Sequence, residues 1–298
     1  MECVTSRINH LPHQANSVSD VTRSISILRI ADAQSQPLED RVAVEEPLEI
    51  QLGYHLLARP ARKSISITMR TPGDDRELAL GFLYGEGIVT SPTDFDSVTH
   101  LDDDAEPTEE STNIIRVNIT RGVPVDVGSL QRNFYTTSSC GVCGKASLKA
   151  LEYDDCTPIE PGEFRVCAEV IAELPDRLRS EQPLFDETGG IHAAGLFDQN
   201  GELVELREDV GRHNAMDKLV GARLLAGALP AHCHIVVLSG RASFELLQKA
   251  LRAAIPVVVA VGAPSSLAID LATEFGITLV GFARNGRFNV YSHPHRIR

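Results

Sequence analysis

The C-terminal third of this chain alternates two kinds of segment that can be combined in few ways. His234 to Leu238, Val257 to Val261 and Ile277 to Phe282 are continuous apolar runs of strand length. Between them, Ser243 to Ala254 and Leu267 to Phe275 carry apolar residues at helical spacing, with Phe244, Leu247 and Leu251 on the inner face of the first. A strand that is apolar on both faces must be covered on both, and strands separated by a helix run parallel through a crossover. The pattern therefore predicts βαβ crossovers and a parallel sheet core covered by helices. Asn285-Gly286 then turns the chain into a last antiparallel strand, Arg287 to Tyr291.

Upstream, Gly190 to Phe197 and Glu202 to Leu206 read as a hairpin around Asp198-Gln199-Asn200-Gly201. A helix from Asn214 to about Ala226 places Met216, Leu219, Val220 and Leu224 inward, and Cys167 to Arg179 reads as a helix interrupted at Pro175. The first half has a different rhythm. Ile25 and Ile27 alternate with polar residues between Ser24 and Ile30, as do Ile65, Ile67 and Met69 between Lys63 and Arg70. Val42 to Val44, Leu48 to Leu52 and Asn113 to Ile119 read as further strands, and one helix follows Thr71-Pro72-Gly73-Asp74-Asp75. The expected organisation is α/β overall. It comprises a mobile N-terminal arm (1–22), a mostly antiparallel α+β subdomain with one helix (23–135), a thiol-bearing loop with a short helix (136–165), and an α/β domain with a mixed sheet (166–298).

Composition narrows the function. With 28 basic against 41 acidic residues the net charge is −13, the wrong sign for a general nucleic-acid binder. No apolar run is long enough to cross a bilayer and the first residues lack a signal-peptide layout, so the cytoplasm is the expected location, away from membranes. Asp102-Asp103-Asp104 with Glu109 and Glu110 reads as a solvated surface loop.

In an open parallel sheet, ligands gather outside the carboxyl ends of the strands. Four loops of small residues and arginines are predicted near that edge: Asp209 to Asn214 with Arg212 and His213; Ser239-Gly240-Arg241-Ala242-Ser243; Gly262 to Ser266 with Ser265; and Phe282-Ala283-Arg284-Asn285-Gly286-Arg287. Any one could simply cap a helix. Together, with Arg212, Arg241, Arg284 and Arg287 in an acidic chain, they point to a phosphate-bearing ligand. There is no P-loop and no dinucleotide fingerprint. His213 reads either as a proton donor or ligand contact, or as a hydrogen-bonded surface residue; His232-Cys233-His234 reads as strand packing rather than a metal triplet.

The six cysteines are too few for a disulfide scaffold. Two of them, Cys140 and Cys143, are flanked by glycines and precede a segment, Ala146 to Leu151, that reads as a short helix. A helix start and Lys145 favour a thiolate there. The pair admits three roles: part of a zinc site, which would want a second close-spaced pair; a thioredoxin-type redox couple, which would want a preceding buried strand; or a nucleophile that carries a group such as a persulfide sulfur. Cys3, Cys156 and Cys167 are read as bystanders.

These motifs resemble a known family. Ser138 to Ser147, Asp209 to Lys218, Ser239 to Glu245, Gly262 to Ala268, Glu77 to Ile88 and Gly281 to Arg287 are together similar to the FdhD family of formate dehydrogenase accessory sulfurtransferases, over about residues 24 to 293. The resemblance implies a sulfurtransferase that accepts persulfide sulfur from a cysteine desulfurase. It would pass that sulfur to the molybdenum cofactor, as bis(molybdopterin guanine dinucleotide), for formate dehydrogenase. It further implies Cys140 as the persulfide carrier with Cys143 as helper, cofactor contact along Phe282 to Arg287, a homodimer, and a C-terminal domain of cytidine deaminase-like fold. The zinc signature of those deaminases is missing, so no metal ligands and no deamination are implied. A non-catalytic cofactor chaperone is the rival role, and a zinc-stabilised interaction module is a third.

Overall fold

In the computed structural model, which describes residues 21–56, 59–101, 113–125 and 156–298, the alternating segments of the first half form two sheets. β1 (Thr22–Ala31) and β2 (Gln34–Ala43) pair antiparallel as a separate ribbon. β3 (Glu46–Leu56) and β4 (Arg59–Arg70) join a second sheet. Leu48, Ile50, Leu52 and Tyr54 alternate onto its buried face. β4 does not keep the expected single apolar face. Ile50 pairs with Ser66 but Gln51 pairs with Ser64, so Ile65 is the extra residue of a bulge. The bulge reverses the phase of the strand: Ile65 is buried, whereas Ile67 and Met69 are 68% and 48% exposed and Arg70 turns inward.

α1 (Asp75–Gly85) follows, then β5 (Phe95–His100) and β6 (Ile114–Ile119), which complete the sheet in the order β4-β3-β6-β5. β3 and β6 run parallel; the other pairings are antiparallel. Leu78, Leu80 and Leu83 of α1 pack with Leu48, Ile50, Ile115 and Val117 in one apolar cluster. The acidic residues Asp102 to Asp104, Glu109 and Glu110 lie outside the described residues, as do the first 20 residues of the predicted arm.

The second half begins with α2 (Ala168–Ser180), which runs unbroken through Pro175. Proline removes one helical hydrogen bond, but Ile171, Leu174 and Leu178 are fully or almost fully buried on this helix, and their packing holds the turn that the sequence pattern breaks. After α3 (Pro183–Thr188), β7 (His192–Phe197) and β8 (Leu203–Asp209) form the predicted hairpin, with Asp198 accepting from the backbone N–H groups of Asn200 and Glu202 at its turn. α4 (Arg212–Leu225), β9 (Ile235–Leu238), α5 (Phe244–Arg252), β10 (Val257–Ala260), α6 (Ser266–Glu274), β11 (Thr278–Arg284) and β12 (Arg287–Ser292) follow in order. The six strands lie in the order β12-β11-β10-β9-β7-β8, with β9, β10 and β11 parallel in the middle and antiparallel strands on either side. Val236 and Val258 face α4, α5 and α6; Val237, Val257 and Val259 face α2. Both faces of the parallel strands are therefore dry, as continuous apolar runs require.

The two larger sheets meet where α1 crosses α4. A Cβ built on Gly81 would stand 1.8 Å from the carbonyl oxygen of Asp217, and one built on Gly221 would stand 1.9 Å from that of Glu77. Backbone touches backbone at both points, so no side chain fits at either. Arg207 of β8 fixes the crossing from the side by pairing with Glu77, and Lys249 of α5 meets Asp217 at 2.6 Å. Gly81→Ala and Gly221→Ala should each lower unfolding free energy by about 3 kcal/mol or more, measured by chemical denaturation. Gly162→Ala, with nothing within 4 Å, should change it by no more than about 0.5 kcal/mol.

Candidate functional site

The carboxyl ends of β9, β10 and β11 carry the three loops expected there, and backbone hydrogen bonds tie them into one rim. Gly262 N–H donates to Gly240 C=O at 2.9 Å, Ser265 N–H to Ala242 C=O at 3.0 Å, and Phe282 N–H to Gly262 C=O at 3.0 Å. Close approach requires the glycine at 262, since a Cβ there would lie 3.0 Å from Gly240 oxygen. The serines have different duties. Ser239 Oγ accepts from Ala193 N–H and pins the start of β7, and Ser265 Oγ caps α6 by accepting from Ala268 N–H. Ser243 stands at the N-cap of α5 yet makes no cap; its Oγ lies 3.1 Å from His213 Nε2.

Beyond β11 the chain turns at Asn285 and Gly286, both at positive φ, so that Arg284, Asn285, Gly286 and Arg287 form an exposed tip. Ala283 is fully buried and its methyl belongs to the core facing α2. Phe282 is 39% exposed and sits at φ 53°, a conformation costly for a bulky side chain. The strain places an aromatic ring at the rim where the β ladder would have turned it elsewhere.

The fourth loop, 209–214, joins the same rim because β7 is antiparallel to β9 and His192 pairs with Asp209 across β7 and β8. It is anchored by a buried polar hub. Asp209 is fully buried: Oδ1 accepts from Gly211 N–H and Asn214 Nδ2, and Oδ2 from Thr71 N–H. Lys218 Nζ, 1% exposed, lies 2.8 Å from Asp209 Oδ2 and donates to Thr71 C=O. Thr71 Oγ1 accepts from Val210 N–H, and Asn214 Nδ2 also donates to Met69 C=O. These bonds connect the loop that bears Arg212 and His213 to the end of β4 in the other sheet.

The site has a mixed electrostatic character. Burial, then the neighbouring Arg212, lowers the His192 pKa, so its imidazole is neutral at neutral pH. Glu245, whose Oε2 lies 3.7 Å from His213 Nε2, is held down at about 2 by that neighbour and stays ionised. Arg212 Nε is shielded from solvent without an acceptor, while Arg241, Arg284 and Arg287 are exposed around the rim. Such a surface, with bare glycine backbone, an unengaged guanidinium nitrogen and flanking arginines, suits a diphosphate-bearing group.

The structure thus brings together Arg212, His213, Ser239, Gly240, Arg241, Ser265 and the Phe282–Arg287 turn. Cys140 and Cys143, with the helix expected at Ala146 to Leu151, lie outside the described residues. Among the described residues, no three His, Cys, Asp or Glu side chains are grouped to hold a metal ion. His192 and the Asp209–Lys218–Thr71 hub escaped the sequence reading. Asn214, Asp217 and Lys218 on the buried side of α4 were the available signal, because buried polar residues need partners from elsewhere in the fold.

The FdhD/NarQ family model matches residues 43–298. The chain belongs to the FdhD/NarQ family. It is 48% identical over 283 residues to the sulfur carrier protein FdhD of Streptomyces avermitilis, covering 93% of this chain and 96% of that one. It is 42% identical to the protein of the same name from Sulfolobus acidocaldarius, over 92% of this chain and 98% of that one. A crystal structure provisionally assigned as a formate dehydrogenase accessory protein, from Desulfotalea psychrophila, superposes with a TM-score of 0.69 at 26% identity, covering 93% of this chain and all of that one. No described helix is long and apolar enough to cross a membrane.

Two measurements check the site's physical description. Lys218→Met leaves the Asp209 carboxylate buried without its cation, and should cost about 3–5 kcal/mol of stability in denaturant unfolding. The His192 imidazole should titrate below 6.5 by NMR. With the folded pKa depressed, the unfolded chain takes up this proton first, so His192 makes folding less favourable as pH falls below 6.5 and has no such effect above it.

Proposed function

We propose that this chain is a sulfur carrier and sulfurtransferase that serves formate dehydrogenase maturation. The observation that carries the reading is near full-length similarity, at 48% identity, to a protein named as a sulfur carrier of the FdhD family. The rim at the ends of β9 to β11 supports it, since its donors suit a ligand with diphosphates. In this reading Cys140 thiolate attacks the sulfane sulfur of a cysteine desulfurase persulfide. A new S–S bond forms on Cys140 and the desulfurase thiolate leaves. Cys143 assists release of the terminal sulfur.

The acceptor is the molybdenum cofactor as bis(molybdopterin guanine dinucleotide), a substrate held at Phe282 to Arg287, Arg212, His213, Ser239, Gly240, Arg241 and Ser265. Arg212 and the glycine backbone hold diphosphate, and Phe282 offers a face for a ring system. The working form in this proposal is a cytoplasmic homodimer whose second-half domain is related to the cytidine deaminase fold.

Incubating the protein with a cysteine desulfurase and cysteine, then measuring intact mass, tests the carrier step. The wild type should gain one reductant-labile sulfur and Cys140→Ala should gain none. Retained cofactor binding with no sulfur gained by the wild type would instead make the protein a non-catalytic chaperone. Stoichiometric zinc bound through the thiols would make it an interaction module.

A further inference from the structure

His213, Ser243 and Glu245 form a polar cluster that helix formation does not require. A serine at an N-cap ordinarily accepts from the helix's own free N–H groups, and Ser265 does so for α6. Ser243 forgoes this on α5, and its hydroxyl is 3.1 Å from His213 Nε2. Glu245, two residues on, brings Oε2 to 3.7 Å from the same nitrogen. Its side chain is 61% exposed, so it can withdraw into solvent.

Among the surrounding charged groups of the described residues, Glu245 is the carboxylate that faces His213 without another cation of its own. On α4, Arg212 adjoins His213, and Asp217, one turn along, is occupied by Lys249 of α5. On β8, Asp209 is engaged by Lys218, Asn214 and Gly211. His192 of β7 faces the same loop and is disfavoured from charging by burial and Arg212. Arg241 is exposed on the neighbouring loop.

The geometry points to His213 as the proton-carrying contact of this rim: it grips the ligand's diphosphate as an imidazolium and rests against the Glu245 carboxylate when the ligand is absent. This rests on the reading of the rim as a diphosphate site. The ligand phosphate replaces one anionic partner of the imidazolium by another, while the neutral imidazole, taking up one proton from solvent, becomes the better binder.

The probe is diguanosine diphosphate, two guanosines joined through a diphosphate diester, because a diester carries constant charge across the imidazole range. Its affinity for the full-length protein is measured by calorimetry between about pH 8 and pH 5, in buffers of different ionisation enthalpy so that proton uptake is read directly. The wild type should tighten on the order of tenfold as pH falls and should take up a fraction of a proton on binding. His213→Gln should bind with little pH dependence and no uptake from this site, whereas His192→Gln should keep both. Glu245→Gln removes the resting anion, so its binding midpoint should move to lower pH with affinity at low pH undiminished; this exposed variant keeps the test open if His213→Gln folds poorly. Unchanged pH dependence in His213→Gln, or its loss in His192→Gln, would overturn the assignment of His213. Absence of binding by the wild type at every pH would overturn the diphosphate reading and this inference with it.

Discussion

Everything on the rim depends on a place with no side chain at all, the crossing of α1 and α4 at Gly81 and Gly221. Each glycine lies against a carbonyl of the other helix, so the helices approach more closely than any other residue would permit. That approach sets the distance between the two larger sheets. It also buries Asp217 and Lys218 beside the crossing, on the helix that starts with Arg212 and His213. A shift of the crossing would be passed to both residues, since α4 is continuous between them.

The buried polar hub converts this packing into a positioned loop. Lys218, Asp209, Thr71 and Asn214 are each at least nine-tenths buried and satisfy one another. Such a network is costly to break because every member left behind would be unpaired in a dry environment. Three of its members, Asp209, Asn214 and Lys218, belong to the six-stranded sheet's 209–214 loop and the helix it opens, and Thr71 follows β4 of the other sheet. The rim is therefore held from both halves of the molecule, while its arginines Arg241, Arg284 and Arg287 stay exposed.

The parts of this architecture that rest on local pattern were legible in the sequence. Continuous apolar runs at 235–238 and 257–260 could only be covered strands, and Asn200-Gly201 and Asn285-Gly286 could hardly be anything but turns. What escaped depends on partners distant in the chain. Gly81 and Gly221 look like ordinary weak points in two helices until each is seen against the other's backbone. The Ile65 bulge arises from pairing with β3, so a period-two reading of Ile65, Ile67 and Met69 could not detect the phase change. Pro175 breaks an isolated helix, but tertiary packing of Ile171, Leu174 and Leu178 outweighs it. At the site, the loops and arginines were visible as composition, whereas His192 and the diversion of Ser243 from capping to His213 were not.

In the proposed function Cys140 carries the sulfur and the rim at the ends of the parallel strands receives a diphosphate-bearing acceptor. Hydrogen–deuterium exchange with diguanosine diphosphate tests the rim most directly. Ligand should slow exchange together at the amides of 209–213, 239–243, 262–265 and 282–287, because those loops are hydrogen-bonded into one surface. Protection confined to a single loop, or located at the opposite ends of β9 to β11, would contradict it.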